Sequence, residues 1–135
     1  MLFAVLDDET PVLKRVVSLL EKISDNNAVI DSFHAPSDLL SSFSSKKYDA
    51  CFLDIDMPAM NGFDLSNLLY THNSNVRIVF VTGNDDLVFS AFRYHAIGFV
   101  RKSNLENELK FAYETLEPVH IKVLQFLRKY IIINV

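Results

Sequence analysis

Residues 50–64 read Ala50-Cys51-Phe52-Leu53-Asp54-Ile55-Asp56-Met57-Pro58-Ala59-Met60-Asn61-Gly62-Phe63-Asp64. A continuous apolar run ends in a carboxylate. A turn rich in Pro, Asn and Gly follows, and then a helix-period stretch, Phe63–Tyr70, carrying Leu65, Leu68 and Leu69. An apolar run that does not alternate with polar residues suits a strand covered on both faces of a parallel sheet.

The same unit recurs on either side. Leu2–Leu6, Ala28–Phe33, Arg77–Thr82 and Gly98–Arg101 are further short apolar runs, and helix-period stretches separate them. Thr10-Pro11 opens the first helix, with Thr10 as N-cap and Pro11 at the first helical position. Val12, Val16, Leu19, Leu20 and Ile23 then share a face. Ser37–Phe43 presents Leu39, Leu40 and Phe43. Asp85 or Asp86 caps a helix whose Leu87, Val88, Ala91 and Phe92 face inward, and the Phe89, Phe92 and Tyr94 group reads mainly as core. Asn104 caps a helix carrying Leu105, Leu109, Ala112, Tyr113 and Leu116, which Pro118 closes. Five strand–helix units with right-handed crossovers predict an α/β fold, a doubly wound five-stranded parallel sheet with helices on both faces.

Composition narrows the class. Apolar residues make up 50% of the 135, with 11 Phe and 5 Tyr, enough for a packed core. A net charge of −4 argues against a duplex DNA binder. The one Cys, Cys51, excludes an internal disulfide or a cysteine zinc site and reads as structural. The opening MLFAVLDDET is too short and acidic for a signal peptide, and no apolar run approaches the roughly 20 residues that span a bilayer. The expectation is a soluble cytoplasmic protein with no membrane segment.

In a parallel sheet the carboxyl ends of the strands share one edge, where ligands bind. The first strand ends in Asp7-Asp8-Glu9, the third in Asp54 with Asp56 two residues on, the fourth in Thr82-Gly83 and the fifth in Arg101-Lys102. Taken singly, an Asp pair after a strand is usually a cap, a Thr a turn residue and a Lys a solvated charge. Their joint placement predicts a site. Packed carboxylates repel, a cation relieves them, and all-oxygen donors suit Mg²⁺. His34, His72, His95 and His120 have no partner pattern.

These residues also resemble a known family, the receiver domain of two-component response regulators. The matching pieces are Val5-Leu6-Asp7-Asp8-Glu9, Phe52-Leu53-Asp54-Ile55-Asp56-Met57-Pro58, Met60-Asn61-Gly62-Phe63-Asp64, Val81-Thr82-Gly83 and Phe99-Val100-Arg101-Lys102. The stretch Ile78–Phe99 is similar to regulators whose output is a LytTR-type DNA-binding domain. The resemblance covers about residues 1–117 and implies a flavodoxin-like sheet. It implies that Asp54 accepts a phosphoryl group from a histidine kinase. Asp7, Asp8 and Asp54 would hold Mg²⁺, with the backbone carbonyl of Asp56. Lys102 would face the phosphoryl oxygens. Thr82 would bond one of them after transfer, letting Phe99 swing inward. It further implies that Gly62 takes positive φ and that Gly83 keeps the phosphate accessible. Receivers often carry Pro after the Lys, joined by a cis bond. Here Ser103 follows, and a trans bond is expected.

A haloacid-dehalogenase-like phosphatase also uses an aspartyl phosphate and Mg²⁺. There the Asp-x-Asp follows the first strand, and a further acidic pair comes late. A degenerate receiver that only binds partners typically lacks one of the acids or the Lys. The expectation is therefore a protein that catalyses only its own phosphorylation and dephosphorylation. DNA would be reached only through a separate output domain.

Residues 1–118 would form the receiver. In residues 119–135, Val119, Val123, Leu127 and Ile131 recur at four-residue steps beside Phe126 and Tyr130, with Lys122, Gln125 and Lys129 opposite. This is an amphipathic helix, passing into a β-branched run, Ile131–Val135, that prefers a strand. It would pair with a second copy in a homodimer or link to an output domain. The alternative is that it folds back on its own receiver.

Overall fold

A computed structural model describes residues 1–117 and 119–131. Five parallel strands form one sheet: β1 (Leu2–Leu6), β2 (Val29–Phe33), β3 (Ala50–Asp54), β4 (Ile78–Thr82) and β5 (Ala96–Arg101), in the order β2-β1-β3-β4-β5. The helices are α1 (Thr10–Ile23), α2 (Pro36–Phe43), α3 (Gly62–His72), α4 (Val88–Ala91), α5 (Leu105–Leu116) and α6 (Val119–Tyr130). The doubly wound architecture is as the sequence predicts.

The period of two along each strand divides the core into two layers. Phe3, Val5, Phe52, Val79, Val81 and Val100 pack with Leu13, Val16 and Leu20 of α1 and Leu109 of α5. Ala4, Leu6, Leu53, Ile78 and Phe80 pack on the other face with Leu39 of α2 and Leu65 and Leu69 of α3. Strands β3 and β4 are buried at every position. Strand β2 is not. It is an edge strand with Val29 64% exposed, so its apolar character marks one covered face rather than two.

Several local expectations are corrected. Thr10 lies within α1, and Glu9 occupies the N-cap position without a side-chain cap bond. The Asp7 side chain satisfies the Glu9 N–H instead, at 2.8 Å. Asn61 caps α3 by accepting from the Asp64 N–H. Before α4 the cap is Asn84, which accepts from the Asp86 N–H. Helix α4 itself is a single turn between two 3-10 segments, Asp85–Leu87 and Phe92–Tyr94. Phe92 follows the buried Ala91 by one residue, about 100–120° around the winding, and points away from the face that Ala91 presents. Phe92 is 75% exposed and Phe89 83%, so neither is core. Tyr94 does pack inward, stacked on Phe63 with ring centroids 4.4 Å apart.

Gly62 also departs from expectation: no glycine has positive φ. A Cβ there would lie 2.2 Å from the Asp54 carbonyl oxygen, so close approach, not φ, demands glycine. The residue with φ of 59° near the fifth strand is His95, whose ring stacks on Tyr70. The peptide bond between Lys102 and Ser103 is trans, as expected, and no cis bond occurs among the described residues. Pro118 and the run 132–135 lie outside the described residues.

Candidate functional site

The order β2-β1-β3 places the chain's change of winding direction between β1 and β3, and it is at the carboxyl ends beside such a switch point that open α/β sheets bind ligands. Asp7 and Asp8 follow β1, and Asp54 is the last residue of β3. Their carboxylate oxygens all lie within 4.8 Å of one another. Asp7 and Asp54 are each 2% exposed, whereas Asp8 is open to solvent. The site therefore has two carboxylates rooted in the core and one at its mouth.

Lys102 begins the segment after β5 and reaches across β4 to these acids. Its Nζ lies 3.0 Å from Asp7 Oδ2 and 3.3 Å from Asp54 Oδ1. Burial pulls its ammonium down, but the hydrogen bond to Asp7 and the charge of Asp54 more than offset this and hold it raised. Asp54 is pushed up to about 7, first by burial and then by the charge of Asp7, with Lys102 opposing. One ammonium thus faces three carboxylates. The donor set is all oxygen and leaves uncompensated negative charge, which fits a hard divalent cation such as Mg²⁺ held by Asp7, Asp8 and Asp54. Asp56 is exposed in the turn after β3, and its carboxylate is not part of the cluster. The role expected of it uses the backbone carbonyl.

Thr82 ends β4 fully buried, and its Oγ1 accepts from the Asn84 N–H at 3.1 Å. Phe99 lies on β5, half-buried against the layer that contains Ala91 and Phe80. A Cβ on Gly83 would meet only the Lys102 side chain, at 3.8 Å, so the approach from this side is open. Asp7, Asp8, Asp54 and Lys102 thus come together in direct contact or close to it. Thr82 stands at the neighbouring strand end, and Phe99 lies three residues before Lys102 on β5.

Sequence reasoning missed a supporting pair. Glu108, in the first turn of α5, accepts the Arg101 backbone N–H at 3.1 Å and pairs with its guanidinium at 2.8 Å. Burial would raise the Glu108 carboxyl, but Arg101 overrides this and lowers it. The clamp holds the residue preceding Lys102. Its only sequence signal is an acid seven positions after a basic strand end.

The model of the response regulator receiver domain matches residues 3–114. An uncharacterized response regulatory protein of Vibrio cholerae is 30% identical over 115 residues, 84% of this chain and 44% of the relative. The sensory transduction protein LytR of Staphylococcus haemolyticus is 32% identical over 98 residues, 73% of this chain and 38% of that protein. Among solved structures, the response regulator TrrA of Thermotoga maritima, in complex with Mg²⁺ and BeF, superposes with a TM-score of 0.73 at 25% identity, covering 86% of this chain and 98% of that one. The chain spans less than half the length of the curated relatives it matches. Among the described residues, no helix is long and apolar enough to cross a membrane.

Proposed function

The chain belongs to the response regulator receiver family, and from that premise we propose that it takes a phosphoryl group onto Asp54 from a phosphohistidine of a sensor kinase. The observation that carries this reading is the convergence of three carboxylates within 4.8 Å on a Lys102 ammonium 3.0 and 3.3 Å from two of them.

Asp54 is the nucleophile: one carboxylate oxygen forms the new O–P bond as the P–N bond breaks in line. The electron pair of that bond leaves with the imidazole. Lys102, already within bonding distance of Asp54, moves its contact to the arriving phosphoryl oxygens and balances their charge. Asp7 and Asp8, with Asp54, would hold Mg²⁺. When bound, the ion neutralises charge on the carboxylates and on the phosphoryl oxygens. Thr82, its hydroxyl engaged by Asn84 in this state, turns to donate to a phosphoryl oxygen, and Phe99 follows into the space released.

The chemistry is the chain's own phosphorylation and dephosphorylation, not turnover of a separate substrate. Residues 1–118 act as the receiver in the cytoplasm. The protein works as a homodimer and controls transcription through an output domain outside residues 1–135, which alone contacts DNA. Incubation with acetyl phosphate and Mg²⁺ should add one phosphoryl group by intact mass. The group should be absent without Mg²⁺ or in Asp54→Asn, and Lys102→Ala should accept it poorly. Equal labelling of wild type and Asp54→Asn would reject the proposal.

A further inference from the structure

Lys102 is held at its tip by the acids it serves, with Nζ 3.0 Å from Asp7 Oδ2 and 3.3 Å from Asp54 Oδ1. Those contacts do not place it during transfer, because the ammonium then moves to phosphoryl oxygens. The stem is open on one side. An added Cβ on Gly83 would meet only the Lys102 Cδ, at 3.8 Å. A lysine stem is long and flexible, so placing its head falls to the backbone from which it springs.

That backbone lies at a junction. Strand β5 is the edge of the sheet, with Arg101 in register with Thr82. Lys102 opens the short 3-10 turn Lys102–Asn104 that leads into α5. Ser103 follows through a trans bond and, unlike a proline, fixes no φ. Among the described residues, neither the turn nor α5 opens on a side-chain cap bond. One side chain does restrain the junction. Glu108 Oε1 accepts the Arg101 backbone N–H at 3.1 Å. Its Oε2 accepts from the guanidinium, through Nε at 3.0 Å and Nη2 at 2.8 Å. Glu108 is fixed in turn by its neighbours on α5, since Leu105 and Leu109 are buried in the layer that holds Val81 and Val100.

Restraint thus runs from the core through α5 to Glu108, and from its carboxylate to the N–H one residue before Lys102. We propose that Glu108 is a positioning residue for phosphoryl transfer: by holding the Arg101 backbone N–H it sets where the Lys102 stem begins, and so where the ammonium meets the phosphoryl group. The proposal rests on Asp54 being the acceptor. A stabilising ion pair alone would need no bond to the backbone. The Arg101 side chain is 43% exposed and that of Glu108 21%, and a pair this open contributes little to stability.

With saturating acetyl phosphate and Mg²⁺, Glu108→Ala should label Asp54 about tenfold more slowly than wild type. Its Mg²⁺ affinity by calorimetry and its melting temperature should stay close to wild type. Glu108→Gln keeps an oxygen for the Arg101 N–H and should recover most of the rate. In a Lys102→Ala background, Glu108→Ala should slow labelling no further, because its effect passes through the ammonium. A second readout needs no phosphate. Acetylation of Lys102 by an N-hydroxysuccinimide ester, read by peptide mapping, should be several-fold faster in Glu108→Ala, as the ammonium leaves Asp7 and Asp54. A wild-type labelling rate in Glu108→Ala, a Gln variant as slow as the Ala one, the same slowing with and without Lys102, or unchanged acetylation of Lys102 would overturn the proposal. Equal labelling of wild type and Asp54→Asn would reject the acceptor instead, and the acetylation would still decide whether Glu108 places Lys102.

Discussion

At Asp54 three effects compete. Burial and the Asp7 charge disfavour the carboxylate, and Lys102 supports it; the first two prevail, since its pKa is pushed up to about 7. An unfolded Asp titrates near 4. A group whose folded pKa is raised binds its proton more tightly in the native state. Stability is therefore lost as pH rises from about 4 to about 7, and the loss is complete above that. Without metal, Asp54→Asn should be more stable than wild type at pH 8, on the order of 2–4 kcal/mol, and nearly equal to it at pH 4. Thermal melts across this range check the slope, and a gap that widens towards acid would contradict it. Gly62 is a second residue with a defined constraint. Its absent Cβ leaves room for the Asp54 carbonyl at 2.2 Å from where that atom would stand. Gly62→Ala should cost roughly 1–3 kcal/mol in denaturant unfolding, because backbone, not a flexible side chain, must move. Sequence reading found this glycine but gave it the wrong reason. A turn signal does not distinguish positive φ from close approach.

At the scale of elements, strands were the most legible. Buried on both faces, β3 and β4 leave continuous apolar runs in the sequence. Helix α5 was equally plain, since Leu105, Leu109, Ala112, Tyr113 and Leu116 hold one face throughout and all are buried. Helix α4 was misread because Phe89 and Phe92 were counted as core on their apolar character alone. The regular turn lasts four residues, and of those only Ala91 is buried. The consequence can be measured. Phe92→Ser should change unfolding free energy by no more than about 0.5 kcal/mol, because the ring is 75% exposed. Phe63→Ala should cost about 3–5 kcal/mol, because that ring is buried and touches both Phe80 and Tyr94. Equal losses would mean that the α4 face is packed after all. The Arg101–Glu108 clamp left only a weak trace in the sequence, an acid seven positions on, because the pairing depends on where α5 begins relative to the end of β5.

For the whole molecule, the legible part of the site is the part made by topology. A parallel sheet brings Asp7, Asp8, Asp54, Thr82 and Lys102 to one edge whatever the details of the loops, so their strand-end positions sufficed to group them. Distances and protonation were not legible, because they depend on how far Lys102 reaches and how deeply each acid is buried. The central claim is that this edge makes Asp54 the phosphoryl acceptor. The most direct measurement is to phosphorylate the full chain with acetyl phosphate and Mg²⁺, reduce it with sodium borohydride, and map the peptides. An acyl phosphate at Asp54 is reduced to the alcohol, so homoserine should appear at position 54 and at no other acid. Phosphate that survives reduction on a Ser or His, with Asp54 unchanged, would contradict the account.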